Sequence, residues 1–350
     1  MTGIRIVTES EECRNIWERM IPPEYITDLW EVRSCFQQHF RHSLYFITAE
    51  KNGQTHGFLP LSRISETDCY GYFPGETWKG ITWLEQNRVF VQNSLCLKDL
   101  LNCCDLPFHI RYLRGENLLP LCESGNDPVF RTDEIGYLFH PHHYNCDMEN
   151  YFREFSRKSL KQILRDVSAI EEKGIAFRFD DSADFDLMVE MNLSRFGDYS
   201  YFHDTRFLEG FRSLMCFLRE MGWLRFTTVL VQGKPAAVDM ACLYKNVLTV
   251  FAGGTDAEFP GIAKLINLHH LRRACAEGIQ ELDFLCGDFH WKKMFHLTPR
   301  TLYLLSNLTL KTGAHTDPGT AKTRAVPEPV LIDENIAQQT GQSLMAELHA

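Results

Sequence analysis

Between Leu248 and Lys293 the chain reads strand, glycine-marked loop, helix, strand and charged aromatic loop with nothing intervening, LTVFAGGTDAEFPGIAKLINLHHLRRACAEGIQELDFLCGDFHWKK. Leu248 to Ala252 is a short apolar run that reads as a strand, and Gly253–Gly254 supplies the φ > 0 freedom by which a strand ends abruptly. Pro260–Gly261 opens a helix, since proline in a first turn sacrifices an N–H that has no partner anyway. Ile262, Ala263, Leu265, Ile266, Leu268, Leu271, Ala274 and Cys275 recur at three-to-four spacing, so this helix packs on a sheet, with Gly278 at its C-terminal cap. Free amides and the positive helix end at Gly261 to Lys264 make a seat for phosphate or pyrophosphate. Neither GxGxxG nor GxxxxGK[ST] occurs, which disfavours dinucleotide and Walker-type sites.

Several pieces of this stretch resemble one family. Gly233–Lys234–Pro235–Ala236–Ala237, Phe259–Pro260–Gly261, Glu277–Gly278, Asp283–Phe284–Leu285–Cys286–Gly287–Asp288 and Trp291–Lys292 together look like the GNAT-type acyltransferase domain of FemAB-like and cellulose-biosynthesis-associated acetyltransferases. The family usually has tyrosine before the lysine and an arginine-like residue where Cys286 stands. Phe58 to Leu61, ending in LPL, extends the resemblance into the N-terminal half. It implies a mixed α/β fold of tandem GNAT-like domains, each a mostly antiparallel mixed sheet flanked by helices. The expected division is 1–147 as a degenerate half, 148–310 as the catalytic half and 311–350 as a largely flexible tail with a short helix from about Gln342. No second Pro-Gly phosphate seat opening a helix is recognised in the first half, which is therefore expected to have lost the cofactor.

Composition is compatible with this. At 350 residues and 44% hydrophobic the chain can bury more than one core, and a net charge of −10 argues against a general nucleic-acid binder such as a DNA-binding protein. The twelve cysteines include no CxxC pair, which points to a reducing compartment. The N-terminus lacks the apolar run of a signal peptide and no segment reaches the length of a membrane span, so a soluble cytoplasmic protein is expected. His140, His142 and His143 with Cys146 and Asp147 crowd metal-ligand types together, yet the spacing fits neither HExxH nor a finger. Proline makes that segment extended, and no metal is expected.

Elsewhere the pattern predicts a strand at Ile4–Val7, a helical stretch over Ile26–Phe40 and a hairpin of 43–50 with 55–62. Tyr70 to Lys79 is an aromatic loop, read as edge packing ahead of a substrate wall. Tyr151 to Lys173 reads as one amphipathic helix whose outer face carries Arg153, Arg157, Lys158, Lys161 and Arg165. That face is either solvated or, by the resemblance, attractive to an anionic substrate or carrier. Arg195 to Asp204 forms a polar aromatic loop of the kind that carries binding residues.

The chemistry implied by the resemblance is direct transfer of an acyl group, expected to be acetyl, from acyl-CoA to an amine. The donor is expected at Ala252, Gly253, Gly254, Pro260, Gly261, Ile262, Ala263 and Lys264, with a backbone N–H near Ala252 polarising the thioester carbonyl. An alkyl amine, with lysine near ~10.4 as guide, is protonated at neutral pH, so a base is wanted. Candidates are Asp288 in the loop, then Asp239 and Asp283, the latter two equally readable as buried aspartates satisfied by backbone donors. Arg195, Tyr199, Tyr201, Trp291 and Lys292 are candidates for the acceptor, a small molecule, sugar, peptide or cell-envelope precursor. Two other classes stay open: a FemAB-like transferase fed by charged tRNA, and a non-catalytic partner in envelope polysaccharide assembly.

Overall fold

A single order of elements, used twice, places the site. The structure, a computed structural model, describes residues 3–116, 118, 130–287 and 289–308. The first half runs β1 (Gly3–Val7), α1 (Ser10–Met20), α2 (Trp30–Phe40), β2 (Ser43–Lys51), β3 (Gln54–Ile64) and β4 (Cys69–Tyr72). A long connection containing the short β5 (Phe90–Val91) then leads to α3 (Ser94–Leu101) and β6 (His109–Arg114). After β7 (Phe130–Phe139), α4 (Met148–Phe152) and α5 (Arg157–Glu171), the second half repeats the order with β8 (Ile175–Phe179), α6 (Asp184–Phe196), α7 (Thr205–Glu220), β9 (Leu224–Val231), β10 (Lys234–Tyr244), β11 (Val247–Thr255), α8 (Ile262–Ala276) and β12 (Glu281–Cys286). It closes with α9 (His290–Met294) and β13 (Thr298–Ser306).

The first sheet has the order β1-β2-β3-β4 with β5 on β3, and the second the order β6-β13-β7-β12-β11-β10-β9-β8. Consecutive strands pair antiparallel within each half, whereas β11 and β12 run parallel because α8 carries the chain back between them. A parallel bridge between Tyr70 and Phe108 is the first half's remnant of that same relation. The fold is thus mixed α/β, with helices on antiparallel and mixed sheets.

Three expectations need revising. The boundary after residue 147 does not follow the sheets, since β6 and β7, which precede it, hydrogen-bond into the second sheet. Tyr151 to Lys173 is broken into two helices, because the Ser156 hydroxyl accepts from the Ser159 N–H and starts α5 afresh. The segment from Pro141 to Tyr144 is a 3-10 turn with Pro141 in its first position rather than extended chain. The C-terminal helix expected from Gln342 lies outside the described residues. The stretch expected as an aromatic loop from Tyr70 begins inside β4, and Tyr70, Tyr72 and Phe73 pack with Trp17, Phe46 and Phe58 in the first half's core.

Two separate clusters cover the faces of the second sheet. Ala237 and Ala241 of β10 pack with Leu265, Leu268 and Leu271 of α8. Val238, Met240 and Cys242 pack on the opposite face, with Phe207, Phe211 and Leu214 of α7 and Phe36 of α2. Alternation along a strand makes the two faces chemically distinct, one lying under α8 and the other turned toward the first half.

Candidate functional site

Parallel pairing of β11 with β12 covers only Val247–Glu281, Leu248–Leu282 and Thr249–Asp283. Beyond Thr249, β11 stays with β10 as far as Thr255, while β12 turns to β7 through Cys286 and Gly136. A wedge without backbone bonds therefore opens between residues 250–255 and 284–286. At its mouth β10 and β11 slip register, with Met240 opposite Ala252 and Ala241 opposite Val250. Phe251 is the extra residue of a bulge, and a bulge takes a backbone N–H out of the ladder.

Gly261 stands before α8 at φ 89°, and no side chain caps the helix start. A Cβ at Gly261 would lie 3.3 Å from the Ile170 Cδ1 of α5, and the positive φ is one that glycine takes without strain. The equivalent helix of the first half, α3, begins differently: the Asn93 side chain accepts from the Cys96 N–H and closes the helix end. Lys264 is not a free cation at the seat, because its ammonium meets Asp166 of α5 at 3.0 Å.

Gly253 and Gly254 lie inside β11 and neither has positive φ, so they do not form the expected loop. Their smallness serves close approach instead. A Cβ on Gly253 would fall 2.1 Å from Asp239 Oδ1, and one on Gly254 would fall 2.6 Å from the Met188 carbonyl of α6. Asn192 of α6 also donates to the Gly253 carbonyl at 2.6 Å. Ala252 lies next to the bulge, and Pro260, Ile262 and Ala263 are at the start of α8.

Of the carboxylates proposed from sequence, Asp239 is on the α8 face, buried, and bonded to His270 Nε2 at 2.9 Å. Asp283 is fully buried and bonded to the Leu285 N–H (2.8 Å), Gln86 Nε2 (2.8 Å) and Arg300 Nη2 (3.0 Å). Asp288 lies outside the described residues. Arg195 and Tyr199 are exposed, the tyrosine by 54%. Tyr201 turns inward, its hydroxyl donating to the Thr82 carbonyl at 3.3 Å. Trp291 packs edge-on against Phe284 and Phe295. Lys292 is buried, and its ammonium donates to the carbonyls of Phe284 (2.9 Å), Leu285 (3.0 Å) and Cys286 (2.8 Å). It therefore holds the free end of β12. Burial pushes its pKa down to about 8, against the opposing pull of the Glu85 carboxylate.

The residue that sequence reading missed is Glu85. It belongs to the connection between β4 and α3, which is tied down at several points. Buried Arg33 donates to the Phe73 carbonyl and Asn87 Oδ1, and Glu76 accepts from the N–H groups of Trp83 and Leu84. Asn87 in turn pairs by backbone with Tyr112 and Arg114 of β6. So fixed, the connection presses Trp83 against Phe251 of the bulge, 5.3 Å between rings, and sets Glu85 Oε1 2.7 Å from the Cys286 N–H. Glu85 is 5% exposed, and its second oxygen has no hydrogen bond, its nearest cation being the Arg300 guanidinium at 4.0 Å. Burial, and then the charge of Asp283, push its pKa up to about 7. Tyr112 and Tyr201 are close enough to feel Glu85, and burial raises both phenols. Gln86, Tyr112 and Leu285 all hold positive φ here, an energetically costly backbone that fixes the seam between the halves. No local periodicity marks Glu85. The only trace in sequence is the polar run Glu85–Gln86–Asn87 directly behind Trp83–Leu84.

Among the described residues, no cluster of His, Cys, Asp and Glu is arranged to hold a metal, and no helix is long and apolar enough to cross a membrane.

Residues 156–293 match the family model described as an acetyltransferase (GNAT) domain. No curated protein matches the chain in sequence. Among solved structures, a conserved protein of unknown function from Bacteroides thetaiotaomicron is similar at TM-score 0.55 and 10% identity, covering 87% of this chain and 99% of that one. FemX is similar at TM-score 0.52 and 10% identity, covering 87% of this chain and 97% of its own. Residues 156–293 are thus similar to a GNAT acetyltransferase domain, and the chain shares its mixed α/β fold with FemX. The domain match and the geometry together support an acyltransferase.

Proposed function

We propose that the protein transfers an acyl group from an acyl-CoA thioester to an amine by direct attack, with Glu85 as the base. The observation that carries this reading is the wedge between β11 and β12, which opens at the Phe251 bulge and lies next to the uncapped start of α8. A bound acyl-CoA supplies a thioester with a good leaving group. The chain's part is to hold and polarise it. Gly261 and the first amides of α8 would hold the pyrophosphate, the wedge would take the pantetheine arm, and the N–H freed by the bulge would polarise the carbonyl. Thioester binding on the α8 side leaves the acceptor to enter from the face turned toward the first half.

On that face Glu85 Oε1 is anchored to the Cys286 N–H and Oε2 is unused, so Oε2 accepts the proton of the incoming amine. A carboxyl near neutrality is matched to that task, being ionised enough to act and basic enough to help. Asp283, with its bonds filled by Gln86, Leu285 and Arg300, holds the strand end in place, and Asp239 with His270 braces the opposite face. The Cys286 thiol is pushed well up by burial, so it is a poor thiolate and a covalent acyl-cysteine is disfavoured. Arg195 and Tyr199 lie at the surface, Lys292 is spent on carbonyls and Trp291 packs on the α8 face, which leaves Tyr201 as the proposed acceptor-side group. Mass spectrometry of the protein incubated with acyl-CoA species and cell extract tests the reading. A product heavier than an amine of the extract by the acyl mass is expected, and its absence for every donor, with no CoA binding by calorimetry, refutes it.

A further inference from the structure

The space beyond the wedge is filled, and the first half fills it. Along the two bordering strands Val250 and Phe284 turn to the α8 face, whereas Phe251 and Leu285 turn to the face of the first half, where both are buried. The side chain that covers them from the first half is Trp83. Its buried ring lies 5.3 Å from Phe251, 4.6 Å from Phe211 of α7 and 5.3 Å from Phe36 of α2, and Leu285 belongs to the same cluster. Its backbone is held as firmly. Glu76 Oε1 accepts from the N–H groups of Trp83 (3.1 Å) and Leu84 (2.8 Å), and two residues further on Glu85 is bonded to the Cys286 N–H on the far side of the wedge. An indole fixed at ring and backbone does not give way to added atoms, because a close-packed interior turns each extra methylene into strain.

We propose that Trp83 sets the length of the acyl group: it closes the far side of the wedge, so that acetyl is accepted and longer chains are rejected. The inference rests on the acyl-transfer reading, in which the thioester arrives from the α8 side and its carbonyl lies at the Phe251 bulge. The acyl carbons then point through the sheet between Phe251 and Leu285, toward the indole. Bond changes are the same for every donor. The amine forms the new C–N bond, the C–S bond breaks, and CoA leaves as the thiol by net gain of the proton that the amine gives up. Only the room beyond the carbonyl carbon distinguishes one donor from another, and each methylene in an apolar pocket is worth roughly 10–200-fold in kcat/KM. The specificity-determining side chain thus comes from the half of the chain opposite the donor seat.

Competition between acetyl-CoA and hexanoyl-CoA at equal concentration, with the amines of a cell extract as acceptors and the products read by mass, gives the ratio of the two kcat/KM values. The full-length wild type is expected to favour acetyl by roughly a hundredfold or more. Trp83→Ala is expected to bring that ratio down by roughly tenfold or more, because its backbone stays held by Glu76 and a cavity lined by phenylalanine and leucine stays dry and takes an apolar guest. Trp83→Leu serves where alanine fails to fold, with circular dichroism as the check, and moves the ratio less in the same direction. Phe40→Leu loosens the same cluster at a ring that packs on His42 and Phe207 instead, and leaves the ratio at the wild-type value. A wild type that uses hexanoyl-CoA as well as acetyl-CoA overturns the assignment of Trp83 and leaves acyl transfer standing. So does a wild-type ratio in the folded Trp83 variants, or an equal shift in Phe40→Leu. Absence of transfer from both donors overturns the acyl-transfer reading, and this one with it.

Discussion

Glu85→Gln should make the protein more stable and nearly inactive, and the two effects should share one pH dependence. Folding raises the Glu85 carboxyl from 4.5 to about 7, chiefly by burial. A carboxyl raised in the folded state keeps its proton between those values while the unfolded chain has already lost it, so stability falls as pH rises through that window. Two and a half units correspond to about 3 kcal/mol, present as a penalty above pH 7 and absent below the unfolded value. Glutamine keeps an oxygen for the Cys286 N–H, does not titrate, and so removes the penalty. Urea denaturation at pH 8 should show the variant more stable by as much as ~3 kcal/mol, with the difference gone near pH 4.5. Turnover should fall by roughly 10²–10⁴-fold with little change in CoA affinity, and the rise of kcat/KM through pH 7 should vanish. A variant that keeps full turnover with the same acidic limb would refute the base assignment. A stability difference that is flat in pH would refute the claim that burial raises the Glu85 pKa.

Four other outcomes follow from the same geometry. Gly261→Val should lower CoA affinity, measured by calorimetry, because the position needs φ 89° and its Cβ would sit 3.3 Å from Ile170 Cδ1; a native circular dichroism spectrum with unchanged affinity would move the seat elsewhere. Lys292→Met should cost about 3 kcal/mol or more in denaturant unfolding, since the carbonyls of Phe284, Leu285 and Cys286 lose their donor in a buried place; a raised acceptor KM at full stability would show that the lysine meets substrate instead. Gly254→Ala should destabilise, its Cβ falling 2.6 Å from the Met188 carbonyl, as thermal melts would show. Asp239→Asn should weaken the bond to His270 and lower Tm while leaving the pH limb of kcat/KM in place; loss of that limb would transfer the base role to Asp239.

The unit from β11 through α8 to β12 was legible because each of its signals is local: an apolar run, a proline and glycine at the helix start, a three-to-four stripe. Local signals also misled. Gly253–Gly254 suggests a turn, yet glycine is used just as well where another backbone or a carboxylate comes too near for a Cβ, and that neighbour is Met188 in one case and Asp239 in the other. Lys292 after an aromatic reads as a cation for the acceptor, but carbonyls of β12 take all three of its protons. Glu85 carried no local sign at all. Its environment is made by Cys286, 201 residues further on, and by Asp283 and Arg300, so its elevated pKa is a product of tertiary contact rather than of pattern.

That contact has a topological origin. In the second half the strand–helix connection is short, running from Thr255 to Ile262, and leaves the start of α8 open toward the wedge. The matching connection of the first half runs from Tyr72 to Ser94, and its helix start is closed by Asn93. The lengthened connection reaches the other half's strand end, where Glu85 accepts from the Cys286 N–H. Arg33, Glu76 and Asn87 are buried within it and spend their hydrogen bonds on holding its shape, which is why a loop can present a carboxylate with the rigidity that proton transfer requires. In the proposed mechanism the first half supplies the acceptor side's base. A second-half fragment beginning at residue 148 would retain the seat but lack Glu85, Gln86, β6 and β7, so it is not expected to catalyse transfer.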